Sequence, residues 1–576
     1  MSGPVIPVVV VGAGPTGVTA ATLLARDGIG CLVLDRWAGV YPQPRAVHLD
    51  DEVYRVLARL GIGEEFAAIS RPCRGLRLLD PHLRVLAEFS RDAGCDSSRD
   101  SSRDAGSDSS SDAGLDDRGR HPVGIHGFPR ANMFDQPELE QLLRTNLARQ
   151  PAATLRGNVE VTGLTQHDDH VRVRFVDRLT GEPGEVTARY VLGCDGANSV
   201  VRSAVGAGMD DLGFEQRWLV VDIAAEGELG QWEGVHQVCD PVRAATYMRI
   251  GTARHRWEFR LLPGETAGDY AGIGALAPLI EPWTGGLAVS RLRLLRVAEY
   301  TFRAQLADRW RDRRVFVLGD AAHLTPPFIG QGMGAGVRDA ANLSWKLAGV
   351  LRGELPEQVL DSYQTERRPH ARAMIRLAKA VGAAMTAGGA AGNLIRRVVA
   401  PRLARIPGLR AHLLDSETPA LRRSALVARP RLGRSLAGRL CPNAVLGDGR
   451  RFDDVAGGRF ALVTAIRPPE ALRAELAGRG AAVVDAAPGS PLHRWLRRGR
   501  ARVAVVRPDG VVARTARDLP RCLRPGTSDP DTVPGQASAT WAASCSSWPL
   551  GRPVRSSRAS AVPATHMIDT TWKPLA

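Results

Sequence analysis

The stretch "VVVVGAGPTGVTAATLLARDGIGCLVLDR", Val8 to Arg36, joins two apolar runs through three glycines and ends at an acid. A strand enters Gly12, Gly14 and Gly17. Small and apolar positions at Val18, Ala21 and Ala25 then follow helical spacing, Gly28 ends the helix, and a second strand closes at Asp35. This is the strand, glycine turn, helix, strand, acid order of a dinucleotide-binding fold. Gly12 permits the tight turn, Gly14 lets a pyrophosphate approach the main chain, and Gly17 lets helix and strand pack closely. Together with Val11, Ala13, Pro15 and Thr16 they form a cradle at the positive end of a helix. Asp35, followed by Arg36, is placed to accept from both ribose hydroxyls, which disfavours a 2′-phosphate there. At this point either NAD or FAD satisfies the pattern.

Two remote segments bear on that choice. In "RYVLGCDGANSVVR", Arg189 to Arg202, a strand leads to the Asp195–Gly196 turn and a helix start capped by Asn198 or Ser199. Alone it reads equally as a tight turn at a sheet edge. In "VFVLGDAAHLTPPFIGQGMGAG", Val315 to Gly336, a strand delivers Gly319 and Asp320 to its carboxyl end, where open α/β sheets hold ligands. Ala321, Ala322 and His323 follow, Pro326 and Pro327 stiffen the turn, and Gly330, Gly332, Met333, Gly334 and Gly336 bring bare backbone to another helix. A nicotinamide has no negative charge that needs such a helix start. A reduced isoalloxazine does, near N1 and the C2 oxygen, and amides with a helix dipole stabilise it by roughly 0.5 to 2 kcal/mol. The three segments are therefore expected to meet around one FAD.

Length and composition set the frame. A chain of 576 residues exceeds one small core and implies two or three domains. No apolar run approaches the roughly 20 residues of a membrane-spanning helix, and Val5 to Val11 lacks a basic flank, so a soluble, cytoplasmic chain without membrane association is expected. The eight cysteines show neither CxxC nor Cys/His ligand spacing, which argues against a disulfide framework and a zinc site. The net charge of +15 raises nucleic acid as a partner. Lysine, however, occurs only at Lys346, Lys379 and Lys573, and the arginine excess is dispersed without interleaved aromatics, so no nucleic acid is expected.

The expected fold class is α/β: a Rossmann-like FAD-binding domain interleaved with a β-sheet substrate domain over residues 1–370, the substrate sheet at roughly 75–90 and 205–300. The Ser/Asp/Arg/Gly stretch Asp92 to Arg120 reads as a mobile surface insertion, and residues 371–440 as a helical linker. "GRFALVTAI" and "ARVAVVRPDGVVA" around a helical "PPEALRAELAGRG" predict a small thioredoxin-like α/β appendage over 441–518, without CxxC. Leu519 to Ala576 reads as a disordered tail.

The three fingerprints, in this order across about 340 residues, resemble those of the aromatic-ring hydroxylases, single-component FAD-dependent monooxygenases. "WAGVYPQPRAVHLDDEVYRVLARLG" with "HGFPRANMFDQPELE" looks like the 3-(3-hydroxyphenyl)propionate hydroxylases. The serine-rich insertion and the tail depart from them; neither touches the fingerprints. The resemblance implies that Asp35 binds the adenosine ribose, that Arg45 and Asp195 lie near the pyrophosphate or the NAD(P)H passage, and that Asp320 reaches the ribityl chain. It implies transient docking of NADH or NADPH, dioxygen as co-substrate, and ortho-hydroxylation of a small aromatic carboxylate, 3-(3-hydroxyphenyl)propionate or 3-hydroxycinnamate, to a catechol. A homodimer is compatible with it. The phenol proton needs a base, for which His48 in "RAVHLDDE" is a candidate; His323 would polarise the flavin edge or cap its turn. Arg249 and Arg256 in "YMRIGTARHRWEF" are candidates for an arginine fork on the substrate carboxylate. Rival expectations are a hydroxylase of polyketide aromatics, a flavin halogenase, whose WxWxIP signature is absent, and a non-catalytic flavin-binding protein.

Overall fold

A computed structural model describes residues 4–41, 46–90, 123–251, 254–386, 392, 418–430, 433 and 435–523. Strand Ile6–Val11 lies at the centre of the first sheet, parallel to Pro183–Gly193 on one side and Cys31–Leu34 on the other. Val315–Val317 extends the sheet beyond Pro183–Gly193, and Ala153–Arg156 extends it beyond Cys31–Leu34, both in parallel. These strands are near-continuous apolar runs because helices cover them. Val8, Val9 and Val10 are fully buried, as are Val191, Leu192, Val315 and Phe316.

All three fingerprint segments thus leave neighbouring strands of one sheet at the same end. Their glycines show how tightly they then converge. A Cβ on Gly17 would stand 3.2 Å from the Cys194 Cβ, and one on Gly319 would stand 2.8 Å from the Thr16 hydroxyl oxygen. Gly336 meets that same hydroxyl. Gly12 and Gly319 also adopt φ of +100° and +59°, which L side chains resist.

The second sheet is antiparallel apart from one pair, Val235–Val238 with Gly75–Leu79. Its order runs His323–Leu324, Leu292–Ala307, Met209–Ala225, Arg254–Arg260, Ala245–Ile250, Val235–Val238, Gly75–Leu79, Val85–Ser90. One face carries Leu219, Val221, Tyr247, Trp257 and Phe259 into a core with helix Ile273–Thr284. The opposite face, one residue out of phase along each strand, looks into the cleft described below.

Two boundaries need correction. Helix Asp361–Thr386 runs through residue 370, because Met374, Leu377, Val381 and Met385 continue one apolar stripe over the cleft. Of the expected helical linker after Thr386, residues 418–430 form no helix and most of the rest lies outside the described residues. The appendage sheet, Ala482–Asp485, Ala461–Thr464, Val503–Val506 and Val512–Ala516, is joined by helix Leu519–Leu523. Cys522 of that helix is buried against Val503 and Val505, so the ordered appendage continues past the expected start of the tail. The insertion and residues 524–576 lie outside the described residues. Among those described, no helix is long and apolar enough to cross a membrane.

Candidate active site

One cleft of about 1130 Å³ passes between the two sheets. That exceeds the roughly 300–1,000 Å³ of ordinary small-molecule sites and leaves room for a dinucleotide plus a second ring. Val11, Gly12, Gly14, Pro15 and Thr16 form one wall. Gly14 borders open space, and no side chain caps helix Pro15–Arg26, so its first amides face the cleft. The Asp35 carboxylate accepts from the Ala13 amide at 2.6 Å and the Trp37 amide at 2.7 Å, with Arg144 3.6 Å away. Arg36 lines the rim against the Trp37 ring.

Asp195 stands beyond Gly12, its carboxylate accepting from Ser199 Oγ at 2.5 Å and from the Val201 amide at 3.1 Å. Ser199, rather than Asn198, caps the helix. Burial raises the Asp195 pKa despite those donors. Arg202 ties this turn to the third segment, donating to the carbonyl oxygens of Ala197 at 2.8 Å and Ala321 at 3.1 Å.

Asp320, Gly330, Gly332 and Met333 line the cleft; Pro327, next to the expected Pro326, does too. Helix Gly332–Leu351 opens into it with no side-chain cap. Its first turn is clamped to the strand carrying His48: Asp50 accepts from Gln331 at 2.8 Å and from Arg338, which also reaches Glu52 at 2.9 Å. His48 lines the cleft against Gly330, where a Cβ would stand 2.9 Å from its Nδ1. The glycine cradle, the acid beyond it and a second uncapped helix start all fit FAD.

Several expected residues lie elsewhere. Ala13, Gly17, Gly319, Ala321 and Ala322 stand behind the wall rather than on it. His323 is corrected: its ring is 1% exposed, stacks on Trp310 at 5.3 Å and shares a 2.8 Å hydrogen bond with Asp339. Burial opposes charge on Asp339, but Arg367 and His323 outweigh it and hold the carboxyl low. Neither arginine enters the cleft. Arg249 sits out of phase with the cleft residues Thr246 and Met248 and binds Glu228 at 2.6 and 3.0 Å. Arg256 is in phase but fully buried, its guanidinium held by Asp222 at 2.7 and 2.9 Å. Arg45 lies outside the described residues.

At the far end the cleft is mainly apolar. Leu76, Leu78, Phe89, Trp218 and Phe328 face Met374, Leu377 and Val381; the polar residues that the sheet brings to the cleft are Tyr300, Thr301 and Arg303 on strand Leu292–Ala307, and Gln237, Thr246 and Glu258 in a row across three other strands. Sequence reasoning missed these six, together with Arg144 and Arg202. For Arg202 the signal was present in the quoted second segment; for the row on the sheet, cross-strand register was needed.

The family model for an FAD binding domain matches residues 5–378. The chain is 36% identical over 382 residues to the "Probable NADH-specific resorcinol 4-hydroxylase" of Rhodococcus jostii (strain RHA1), covering 66% of each chain. It is 33% identical over 465 residues to a 3-(3-hydroxy-phenyl)propionate/3-hydroxycinnamic acid hydroxylase of Burkholderia vietnamiensis (strain G4 / LMG 22486), covering 79% of this chain and 78% of that one. Among solved structures, the flavin-dependent monooxygenase PieE with FAD and substrate superposes with a TM-score of 0.71 at 24% identity, covering 90% of this chain and 97% of that one. The aklavinone-11 hydroxylase with FAD and aklavinone gives 0.71 at 23%, covering 90% and 96%. At those identities the two structures speak for the fold alone.

Proposed function

The chain belongs to the family of FAD-dependent aromatic-ring hydroxylases, and from that membership we propose that it uses NADH and dioxygen to hydroxylate a phenol bearing no carboxylate. The observation that carries this reading is the chemistry of the far end of the cleft. Its lining is mainly apolar, Glu258 is the carboxylate that the sheet presents there, Arg303 at the edge of the cleft is paired with Glu215 at 2.9 Å, and Arg256 and Arg249 are held by Asp222 and Glu228. A substrate carboxylate there would meet Glu258 across a low-dielectric space, where like charges repel strongly.

Bound FAD would take hydride from the nicotinamide and pass one oxygen atom of dioxygen to the ring. The chain's own part is placement and exclusion of water. Asp35 and the Gly12–Gly17 turn would hold the adenosine and pyrophosphate, Asp195 and Asp320 would flank the rest of the cofactor's chain, and the uncapped amides of helix Gly332–Leu351 would stabilise negative charge on the reduced ring. The stripe of Met374, Leu377 and Val381 keeps the reacting end dry, which limits loss of oxygen as peroxide. A nicotinamide would dock transiently, since only the Val8 to Arg36 stretch carries a dinucleotide fingerprint.

A second reading, hydroxylation of 3-(3-hydroxyphenyl)propionate or 3-hydroxycinnamate, is favoured by 33% identity over 79% of the chain. One experiment separates the two. Purified enzyme with FAD and NADH is given resorcinol or 3-(3-hydroxyphenyl)propionate, and NADH loss, peroxide and hydroxylated product are measured. Resorcinol should be hydroxylated with the higher kcat/KM. A reversed preference selects the second reading, and NADH loss that yields only peroxide with both compounds refutes hydroxylation.

A further inference from the structure

We propose that Glu258 receives the proton of the substrate's ring hydroxyl, an assignment that rests on the phenol-hydroxylase reading above. The geometry begins with register. Gln237 pairs with Thr246 across one strand boundary and Thr246 with Glu258 across the next, so the three side chains form a row on the cleft face. The amide nitrogen of Gln237 donates to the carbonyl oxygens of Val238 at 3.3 Å and Ala245 at 3.1 Å, which fixes the amide orientation, because carbonyls only accept. Its amide oxygen accepts the Thr246 hydroxyl at 3.0 Å.

That hydroxyl has one proton, and Gln237 takes it. Towards Glu258 the threonine presents only lone pairs, so it cannot satisfy the neighbouring carboxylate. Among the described residues the Glu258 side chain makes no hydrogen bond, although the residue is only 8% exposed and lines the cleft. Arg256, two residues along on the same face, directs its guanidinium to Asp222 through two hydrogen bonds. The row is therefore built with one acceptor left for something that donates from the cleft.

A phenol supplies that donor. Its O–H bond breaks, the proton passes to a Glu258 oxygen, and the electron pair stays on the ring oxygen, raising electron density at the ortho carbon that is to be oxygenated. The proton leaves Glu258 for solvent when product departs. Burial pushes the Glu258 pKa up and the Asp222 charge adds to the rise, while Arg256 and Arg296 only partly oppose it, which suits a base working nearer neutral pH than an exposed glutamate.

The test compares wild type with Glu258→Gln and Glu258→Asp, using resorcinol and ring-substituted phenols of graded acidity as probes. FAD content checks folding; kcat/KM for hydroxylated product is read against pH. Glu258→Gln should retain FAD, lose roughly 10²-fold in kcat/KM, lose the acid limb of the pH profile, and regain rate with the more acidic phenols. Glu258→Asp should recover part of the loss. A Glu258→Gln enzyme within about threefold of wild type with the acid limb intact overturns the assignment, since a proton acceptor is worth far more. So does a limb that survives in Glu258→Gln and vanishes in His48→Asn. If wild type hydroxylates none of the phenols, the functional reading fails in that arm and takes the assignment with it.

Discussion

Asp320 and His323 lie three residues apart, yet they face opposite ways out of the same turn. Asp320 lines the cleft, whereas His323 is buried against Trp310 and Asp339. Their substitutions should separate accordingly. Asp320→Ala should lower the FAD retained through purification by several-fold, measured as the ratio of flavin to protein absorbance, while the melting temperature of the apoprotein stays near wild type. His323→Asn should do the reverse. It removes a buried charged hydrogen bond and costs about 2 kcal/mol in denaturant unfolding, but leaves the pH profile of kcat/KM unmoved because the ring never reaches the cleft.

Among the elements, the contact between helices Pro15–Arg26 and Gly332–Leu351 sets how the first and third fingerprints meet. Thr16 fills the space above Gly336, whose added Cβ would also stand 3.1 Å from the Gly319 Cα. Gly336→Ala should therefore cost about 1–3 kcal/mol through overpacking. Thr16→Ala in the same chain should restore most of it, because the Thr16 Cβ alone would be 3.4 Å away; a thermal melt of the single and double variants checks this. The glycines announced their role in the sequence because turn, close approach and helix start are local demands, written within about six residues. The cleft wall formed by the second sheet was not legible in the same way. In "YMRIGTARHRWEF" strand alternation is plain, but which phase faces the cleft depends on pairing with strands tens of residues distant. Arg249 fell on the wrong phase and Arg256 beside an acid 34 positions away. The row of Gln237, Thr246 and Glu258 exists only once three strands are in register.

Across the whole molecule, the appendage is locked to the flavin domain by buried ionic contacts. Arg507 reaches Glu366 of helix Asp361–Thr386 at 2.8 Å, and Lys346 and Asn342 bind the same carboxylate at 2.9 and 2.8 Å. Arg55, on the helix after His48, holds Asp453 at 2.6 Å and the Cys441 carbonyl at 2.6 Å. Burial would raise the Glu366 pKa, but Arg507 and Lys346 overcome it and hold the carboxyl well below the usual 4.5. A carboxyl lowered by folding contributes its full stability above the unfolded pKa and loses it as pH falls through the folded value. The stability advantage of wild type over Glu366→Gln should accordingly be constant near neutrality and shrink below about pH 4.5, as read from denaturant midpoints across pH.

The buried seam also makes Cys441 a timer. Its thiol is fully enclosed, and burial raises its pKa far above that of an exposed cysteine, so almost no reactive thiolate meets solvent while the seam is shut. Alkylation of Cys441 must wait for the appendage to lift. Peptide mapping after timed iodoacetamide exposure would then count those openings, and loss of the Arg55 or Arg507 clamp should make the clock run faster.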